Sequence, residues 1–275
     1  MRASLRSSVV LLLFFGLALS LQQPSVAAQE APRVSPDAAA NPSLSGAQIV
    51  SALEARNRQR TEALHAFEGT RLYHMEYEGF FGKHTAEMTV TMSYRTPSDK
   101  EFTVVSQTGS KFVIDHVFKG LLDGEREAGE NHARTDLNSQ NYNFTLLGAE
   151  TTDAGPQYVL AVTPKTDYKY LYRGKIWVDA SDFAVTRVEA EPARTPSFWI
   201  KKTAIKHNYE KVEEFWLPAD DQTDSTIKLG GHALLSIQYT SYKILESASV
   251  SAINSDANSL HASAVPAPAA DRHGN

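Results

Sequence analysis

The chain has 275 residues, a formal net charge of −5 and no cysteine. The excess of acid excludes nucleic acid as an expected partner, because that polymer attracts clustered lysine and arginine. The lack of cysteine excludes disulfides, and it also excludes the lipid-modified cysteine that tethers exported bacterial lipoproteins.

The first residues have the pattern of an export signal. Arg2 and Arg6 form a basic start, residues 9–21 are largely apolar, and small residues occupy positions 26–28. We predict cleavage after Ala28. An uncleaved anchor is the alternative, but a membrane-spanning helix needs about 20 apolar residues. The protein is therefore expected to be soluble and periplasmic.

Composition divides the rest of the chain into one domain and two flanking segments. Residues 29–45 and 247–275 are rich in alanine, proline and serine, which predicts a disordered linker and a disordered tail. The segment 46–246 between them is long enough to bury a core of its own, so we expect a single domain there.

A helix is predicted to open this domain at Ser45 or Gly46. Its apolar positions are few and many of its other positions are charged, which predicts one buried stripe and one solvent-exposed face. The stripe consists of Ile49, Leu53, Leu64 and Phe67.

Four strands follow, each recognised by alternating apolar and polar residues. Tyr73, Met75 and Tyr77 share one face of the first strand, while His74 and Glu76 share the other. Because short turns join the strands, they are expected to form a meander. The four predicted strands are 70–81, 85–95, 101–107 and 111–118.

Residues 119–141 interrupt the strand pattern. Leu121 and Leu122, followed by the charged residues Glu125 and Arg126, predict a short helix, and a polar loop comes after it. The segment is interpreted either as a lid against the sheet or as a plain surface connection, and the sequence leaves both open.

Seven more strands complete the domain, separated by turn-forming glycine, proline and aspartate. About eleven antiparallel strands with segregated helices predict an α+β fold. The seven predicted strands are 142–151, 157–166, 171–178, 184–190, 197–209, 215–226 and 233–245.

Four short motifs in this second half, together with the order of elements, suggest a family. They are Gly-Lys-Ile-Trp-Val-Asp at 174–179, Val-Thr-Arg-Val at 185–188, Trp-Leu-Pro at 216–218 and Ile-Gln-Tyr-Thr-Ser-Tyr at 237–242. The chain resembles the outer-membrane lipoprotein-sorting proteins of the LolA/LolB-like superfamily. The resemblance implies an incomplete antiparallel β-barrel whose concave face is covered by helices, and lipoprotein acyl chains as partners.

An acyl-binding face has to be apolar, because each methylene that leaves water contributes about 0.8 kcal/mol. It also has to adapt to chains without a fixed shape, which suits the flexible, polarisable side chain of methionine. Met75, Met88 and Met92 lie on apolar faces of two consecutive predicted strands. Ordinary core packing is the alternative. The predicted ligand-binding residues are Tyr73, Met75, Tyr77, Met88, Val90, Met92, Tyr94, Phe112, Ile114 and Trp177.

No pattern predicts catalysis, a metal site or a cofactor. The chain has no Gly-rich phosphate loop and no Gly-x-Ser-x-Gly elbow, and its histidines lack metal-binding spacing. His74, Glu76 and Glu78 share one strand face, which an exposed polar face explains better than a metal site. The acidic stretch 220–224 is interpreted as a solvated turn rather than a calcium site.

We therefore predict a non-enzymatic carrier or chaperone that shelters the acyl chains of a lipid or lipoprotein between an apolar sheet face and the helical segments 49–67 and 118–127. A membrane-bound donor or acceptor protein is a further expected partner. The alternative is a periplasmic sensor or protein-interaction module on the same fold. A hydrolase whose groups meet only in the folded chain is a third reading, with no motif behind it.

Overall fold

A computed structural model describes residues 44–248, except for 81, 97–98, 153–154, 195–197, 199 and 229. The predicted signal peptide and nearly all of the predicted linker and tail lie outside the described residues. No helix in the described part is long and apolar enough to cross a membrane.

Helix α1 spans Gly46–Ala63 and begins with a capping box. The Ser45 hydroxyl accepts a hydrogen bond from the Gln48 backbone N–H at 3.3 Å, and the Gln48 side chain accepts one from the Ser45 N–H at 2.9 Å. These bonds satisfy backbone donors that the first turn of a helix leaves unpaired. The helix ends before Leu64, so Leu64 and Phe67 belong to a strand and not to the helical stripe in which they were predicted.

The described residues form ten strands in one sheet. Every neighbouring pair is antiparallel, and the order across the sheet is β3-β2-β1-β10-β9-β8-β7-β6-β5-β4. The strands are β1 (Leu64–Gly79), β2 (Gly82–Arg95), β3 (Asp99–Gly109), β4 (Tyr142–Thr152), β5 (Gly155–Pro164), β6 (Tyr172–Asp179), β7 (Val185–Pro192), β8 (Ile200–Val212), β9 (Phe215–Ile227) and β10 (Gly231–Ser247). The sheet does not close, because β3 and β4 remain its two edges, and the predicted incomplete barrel is confirmed.

The fourth predicted strand, 111–118, is wrong, because that segment is helical, and ten of the eleven predicted strands remain. Ser110 caps it, accepting from the Val113 N–H at 3.5 Å. Asp115 pairs with Lys111 and Lys119, four residues away on either side, at 2.5 Å each. Such spacings join side chains on a helix and not on a strand.

The helical insert, defined here as residues 111–135, lies between β3 and β4. It starts with α2 (Lys111–Val113) and a π-helical turn (Ile114–Phe118), continues as α3 (Lys119–Glu130) and ends with α4 (His132–Thr135). Its buried residues recur at helical spacing, which gives it one apolar side. They are Val113, Ile114, Val117, Phe118, Leu121 and Leu122.

Candidate functional site

Strand register shows which side chains share the sheet face that the helices cover, called the inner face below. Residues directly opposite each other on neighbouring strands lie on the same face. One such row crosses seven strands, from β1 to β5. It runs Tyr73, Ile237, Asp221, His207, Val188, Ile176 and Leu160. The row is apolar at both ends and polar in the middle.

The first apolar region of the inner face, the insert compartment, lies between the helical insert and strands β10, β1 and β2. Its roof is the apolar side of the insert. Tyr73 and Phe118 join floor and roof, with ring centroids 5.8 Å apart. The floor consists of Tyr73, Met75, Ala86, Met88, Val90, Ala233, Leu235 and Ile237, all buried.

The second apolar region, the α1 compartment, lies between helix α1 and strands β4 to β7. Ile49, Val50 and Leu53 form its roof. Its floor has no methionine. The buried floor residues are Tyr142, Leu160, Val162, Leu171, Ile176, Val178, Val188 and Ala193.

Seven of the ten predicted ligand-binding residues lie on inner-face strand positions of β1 and β2. Tyr77 packs against the insert compartment, while Met92 and Tyr94 belong to a third apolar cluster near the end of α1. The other four are Tyr73, Met75, Met88 and Val90. Their role in binding a ligand stays a prediction.

The remaining three predicted residues occupy other positions. Ile114 is buried, but it belongs to the roof and not to the sheet. Phe112 lies on α2 with 58% of its surface exposed, because the segment is a helix and this residue points away from the apolar side.

Trp177 lies on the outer face, opposite to its predicted side. Its neighbours Ile176 and Val178 both point into the α1 compartment, so the alternation of the strand turns Trp177 outward. There it is buried by polar partners: its indole N–H donates to Glu150, and the Arg187 guanidinium lies 4.5 Å from the ring centroid. The sequence did not distinguish the faces because residues of both phases are apolar.

A partly buried ion-pair cluster ties the insert to the sheet. Arg71 of β1 donates to Glu125 of α3 twice, at 2.5 and 3.0 Å, and Lys100 of β3 donates to the same carboxylate at 2.8 Å. The Arg71 guanidinium also lies 5.3 Å from the centroid of the Phe102 ring and 4.9 Å from that of Tyr239. One insert carboxylate is thus held by two cations of the sheet.

Electrostatics favour the charged forms in this cluster. Burial works against ionisation of Glu125, but Lys100 and Arg71 outweigh it and lower the pKa of the carboxyl to about 2. Burial likewise disfavours the charged guanidinium of Arg71, and the Glu125 carboxylate overcomes this, so the pKa of Arg71 is raised. Burial raises the pKa of the neighbouring Tyr73 hydroxyl to about 12.

A polar stripe on β8 and β9 separates the two compartments. The Tyr239 hydroxyl donates to Asp221 at 2.5 Å, and Nδ1 of His207 lies 2.5 Å from the other oxygen of that carboxylate. Burial opposes the imidazolium, but Asp221 outweighs it and the pKa of His207 is raised. Further along the stripe, Thr203 and Ser225 are buried and their hydroxyls lie 2.9 Å apart.

The acidic stretch 220–224 therefore does not form the predicted solvated turn. It lies inside β9, and Asp221 points to the inner face, whereas Asp220 and Asp224 bond Asn208 and His232. Sequence reasoning missed the stripe because it took polar residues of a strand as outward-facing.

The described residues bring together no metal-binding cluster. No group of three His, Cys, Asp or Glu side chains in that part of the chain is placed to hold a metal ion. On the outer face, His74 lies 3.0 Å from Glu76 and 3.2 Å from Glu87. Hydrogen bonding to Glu76 is the main cause that raises the pKa of His74.

A groove of about 310 Å³ lies beside α1, between the helix and the turn that connects β6 to β7. Its walls include Arg56, Gln59, Asp182 and Phe183. None of the predicted ligand-binding residues lines it.

Comparisons with known proteins give matches at the level of structure. A family model described as "Uncharacterized protein" matches residues 127–250, and no curated protein matches. An outer membrane lipoprotein-sorting protein domain from Vibrio parahaemolyticus is 13% identical, with a TM-score of 0.39 over 76% of this chain and 97% of that one.

Two further solved structures are similar to a comparable extent. A DUF1329 family protein from Desulfovibrio piger is 13% identical, with a TM-score of 0.37 over 71% of this chain and 92% of that one. A LolA superfamily protein from Nitrosomonas europaea is 11% identical, with a TM-score of 0.32 over 74% of this chain and 95% of that one. These names include the superfamily that the sequence motifs resemble. TM-scores below 0.5 leave the function to be argued from the chain's own residues.

Proposed function

We propose that this protein is a periplasmic, non-enzymatic carrier that binds acyl chains of a lipid or lipoprotein in the insert compartment, between the helical insert and the sheet. The observation that supports this most strongly is the composition of that compartment. It is lined on both sides by apolar side chains, and it contains the two buried methionines Met75 and Met88.

Burial of the acyl chain provides the driving force. Each methylene contributes about 0.8 kcal/mol when it leaves water, so a chain of about ten methylenes gains about 8 kcal/mol. Where the acyl chain takes the place of the insert against the floor, the floor residues still have an apolar neighbour. The methionines can change rotamer to fit chains of different shape, which branched aliphatic side chains do less easily.

The roof has to move for an acyl chain to enter, and one of its two polar attachments to the rest of the domain is exposed enough to release easily. Besides the Glu125 pairs, Glu127 of α3 accepts from Lys169 at 2.6 Å and from the Tyr170 hydroxyl at 2.8 Å, both in the connection between β5 and β6. The Glu127 and Lys169 side chains remain partly exposed, at 45% and 25%. Water can replace the partners of such exposed groups at little cost.

The first test is native mass spectrometry of the protein purified from a periplasm without detergent, followed by lipid extraction. The proposal predicts a bound mass that extracts as a phospholipid or an acylated peptide. A clean unliganded mass, together with no uptake of a fluorescent fatty acid, would contradict carriage and favour a protein-interaction module.

A matched pair of variants then tests where the acyl chain binds. Met88→Glu places a charge in the floor of the insert compartment and is expected to abolish uptake of the fluorescent fatty acid, because a carboxylate cannot be desolvated against a hydrocarbon chain. Thr89→Glu, one residue along on the outer face, is expected to leave uptake unchanged. If a folded Met88→Glu protein still binds, the compartment has been wrongly assigned.

A further inference from the structure

Arg71 carries a hydrogen-bond donor that the folded chain does not use. Its side chain is only 5% exposed, and its two terminal nitrogens both donate to Glu125. The Nε atom is buried and has no hydrogen-bond partner among the described residues. Buried polar groups are nearly always paired, so an unpaired donor at this position requires an explanation.

The donor lies at the edge of the insert compartment. By strand register, Arg71 is opposite Val90 on β2 and Tyr239 on β10, and the next inner-face residue along β1 is Tyr73. Tyr239 is the residue that bonds Asp221 in the polar stripe. Arg71 therefore lies where the apolar floor meets the polar stripe.

The charge around Arg71 favours a partner with acceptor oxygens. Arg71 and Lys100 share the one carboxylate of Glu125, and the other carboxylate of this region, that of Asp221, is already engaged by His207 and Tyr239. The aromatic rings of Phe102 and Tyr239 fix the guanidinium plane, so the direction of the Nε–H bond is set before any ligand arrives. An oxygen acceptor at the end of an apolar chain matches both the charge and the position.

We propose that Arg71, through its Nε–H, binds the acyl carbonyl oxygen of a chain that lies in the insert compartment. This inference rests on the proposed function and adds the group that orients the ligand. The same acceptor chemistry occurs in the carboxylate of a free fatty acid and in the carbonyl of an acylated peptide.

The test compares three probes of equal chain length that displace a fluorescent apolar dye. Dodecanoate has a carboxylate, N-dodecanoyl glycinamide has an uncharged amide carbonyl, and dodecylammonium has no acceptor oxygen. Arg71→Lys keeps a cation for Glu125 but removes the Nε donor. We expect this variant to bind at least one of the two carbonyl probes tenfold or more weakly than the wild type, and to bind dodecylammonium with unchanged affinity.

The chain provides a matched control. Arg187 also has a buried Nε without a partner among the described residues, but it lies on the outer face beside Trp177. Arg187→Lys therefore makes the same chemical change outside the compartment, and all three probes are expected to bind as in the wild type. If Arg71→Lys loses affinity for dodecanoate alone, the ligand is a free fatty acid. If it loses affinity for the glycinamide alone, the ligand is an acylated peptide.

The outcomes separate this inference from the proposed function. If a folded Arg71→Lys protein binds all three probes like the wild type, the Arg71 subsite is overturned while carriage stands. If the wild type binds none of them, carriage fails and the subsite fails with it.

A measurement on the wild type covers the case in which Arg71→Lys does not fold. The ¹⁵Nε resonances of arginine are expected to include one that shifts on addition of dodecanoate or the glycinamide and stays in place with dodecylammonium. An unshifted set of arginine resonances, in a protein that has taken up the probe, would overturn the subsite.

Discussion

The two compartments of the inner face are built on one sheet from different side chains under different roofs. The insert compartment contains Met75 and Met88 beneath a segment that contains a π-helical turn and is tied down by ion pairs. Leucine, isoleucine and valine are common in both compartments, but the buried residues of the α1 compartment include no methionine and lie beneath one regular, capped helix. We infer that the first is built to adapt and the second to hold the sheet in shape.

The contrast shows that burial alone does not mark a binding site. Residues on both floors are almost completely buried, including Met88 at 1% and Ile176 at 0% exposure. What differs is the freedom of the side chains and the attachment of the roof. Stiff branched residues specify one packing arrangement, whereas methionine tolerates several.

The largest expected effect is on stability in the α1 compartment. Leu53→Ala removes a side chain that is fully buried in the roof, and such truncations cost about 2–5 kcal/mol. Met88→Leu keeps the volume of the other floor and should cost less than about 1.5 kcal/mol. Urea unfolding measures both values.

Ligand uptake by the same two variants sharpens the comparison. Folded Leu53→Ala protein is expected to bind a fluorescent fatty acid with unchanged affinity, and Met88→Leu is expected to alter that affinity. The reverse pattern would show that the α1 compartment is the binding site.

The second effect is a loss of stability in acid. Folding lowers the pKa of Glu125 from 4.5 to about 2, so its stabilising contribution is complete above pH 4.5 and is lost as the pH falls from 4.5 toward 2. Because the group is partly exposed, we expect about 2 kcal/mol. Unfolding curves of the wild type and Glu125→Gln, measured across this range, should converge at the acidic end.

The difference in unfolding free energy between the wild type and Glu125→Gln isolates the effect of Glu125 from that of other carboxyls whose pKa values are lowered, such as Glu127 and Asp115. Hydrogen exchange in acid should increase in the insert before it increases in α1. If the free energies of unfolding of the wild type and Glu125→Gln differ by a constant amount down to pH 2, Glu125 does not hold the roof to the sheet through its charge.

The smallest effect comes from the two helix caps. Ser45→Ala and Ser110→Ala each delete the side-chain cap at the start of one roof, and each should cost about 1 kcal/mol. Ser110→Ala is expected to speed ligand uptake, since it loosens the roof that moves, whereas Ser45→Ala should not. Stopped-flow binding measures the two rates, and equal rates would contradict the assignment of the mobile roof.

Much of this architecture follows from alternation in the sequence. Period-two patterns predicted ten of the strands and the inner positions of Tyr73, Met75, Met88 and Val90. The pattern failed at 111–118, where Val113, Ile114, Val117 and Phe118 recur at helical spacing but the segment was taken for a strand.

The polar part of the site was not predicted, because burial of a charge depends on partners far away in the chain. Arg71 has the same phase as Tyr73 and Met75, which would have placed it on the inner face, but a lone arginine in a strand is usually exposed. Its partner Glu125 is 54 positions away. Asp221 and His207 are only 14 positions apart, but their contact depends on the register of β8 against β9, which alternation alone does not give.

The most direct test of the account is to lock the insert in place. The chain has no cysteine, so Glu127→Cys and Lys169→Cys introduce the only two thiols, at positions whose side chains now form an ion pair. A cleavable bismaleimide would join them. Glu78→Cys with Lys83→Cys, an ion pair at the β1–β2 hairpin, provides the matched control.

We predict that the locked protein takes up a fluorescent fatty acid at least tenfold more slowly, that cleavage of the linker restores the rate, and that the hairpin-linked control is unaffected. Uptake by the locked protein at the wild-type rate and affinity would contradict the central claim that acyl chains enter beneath the helical insert.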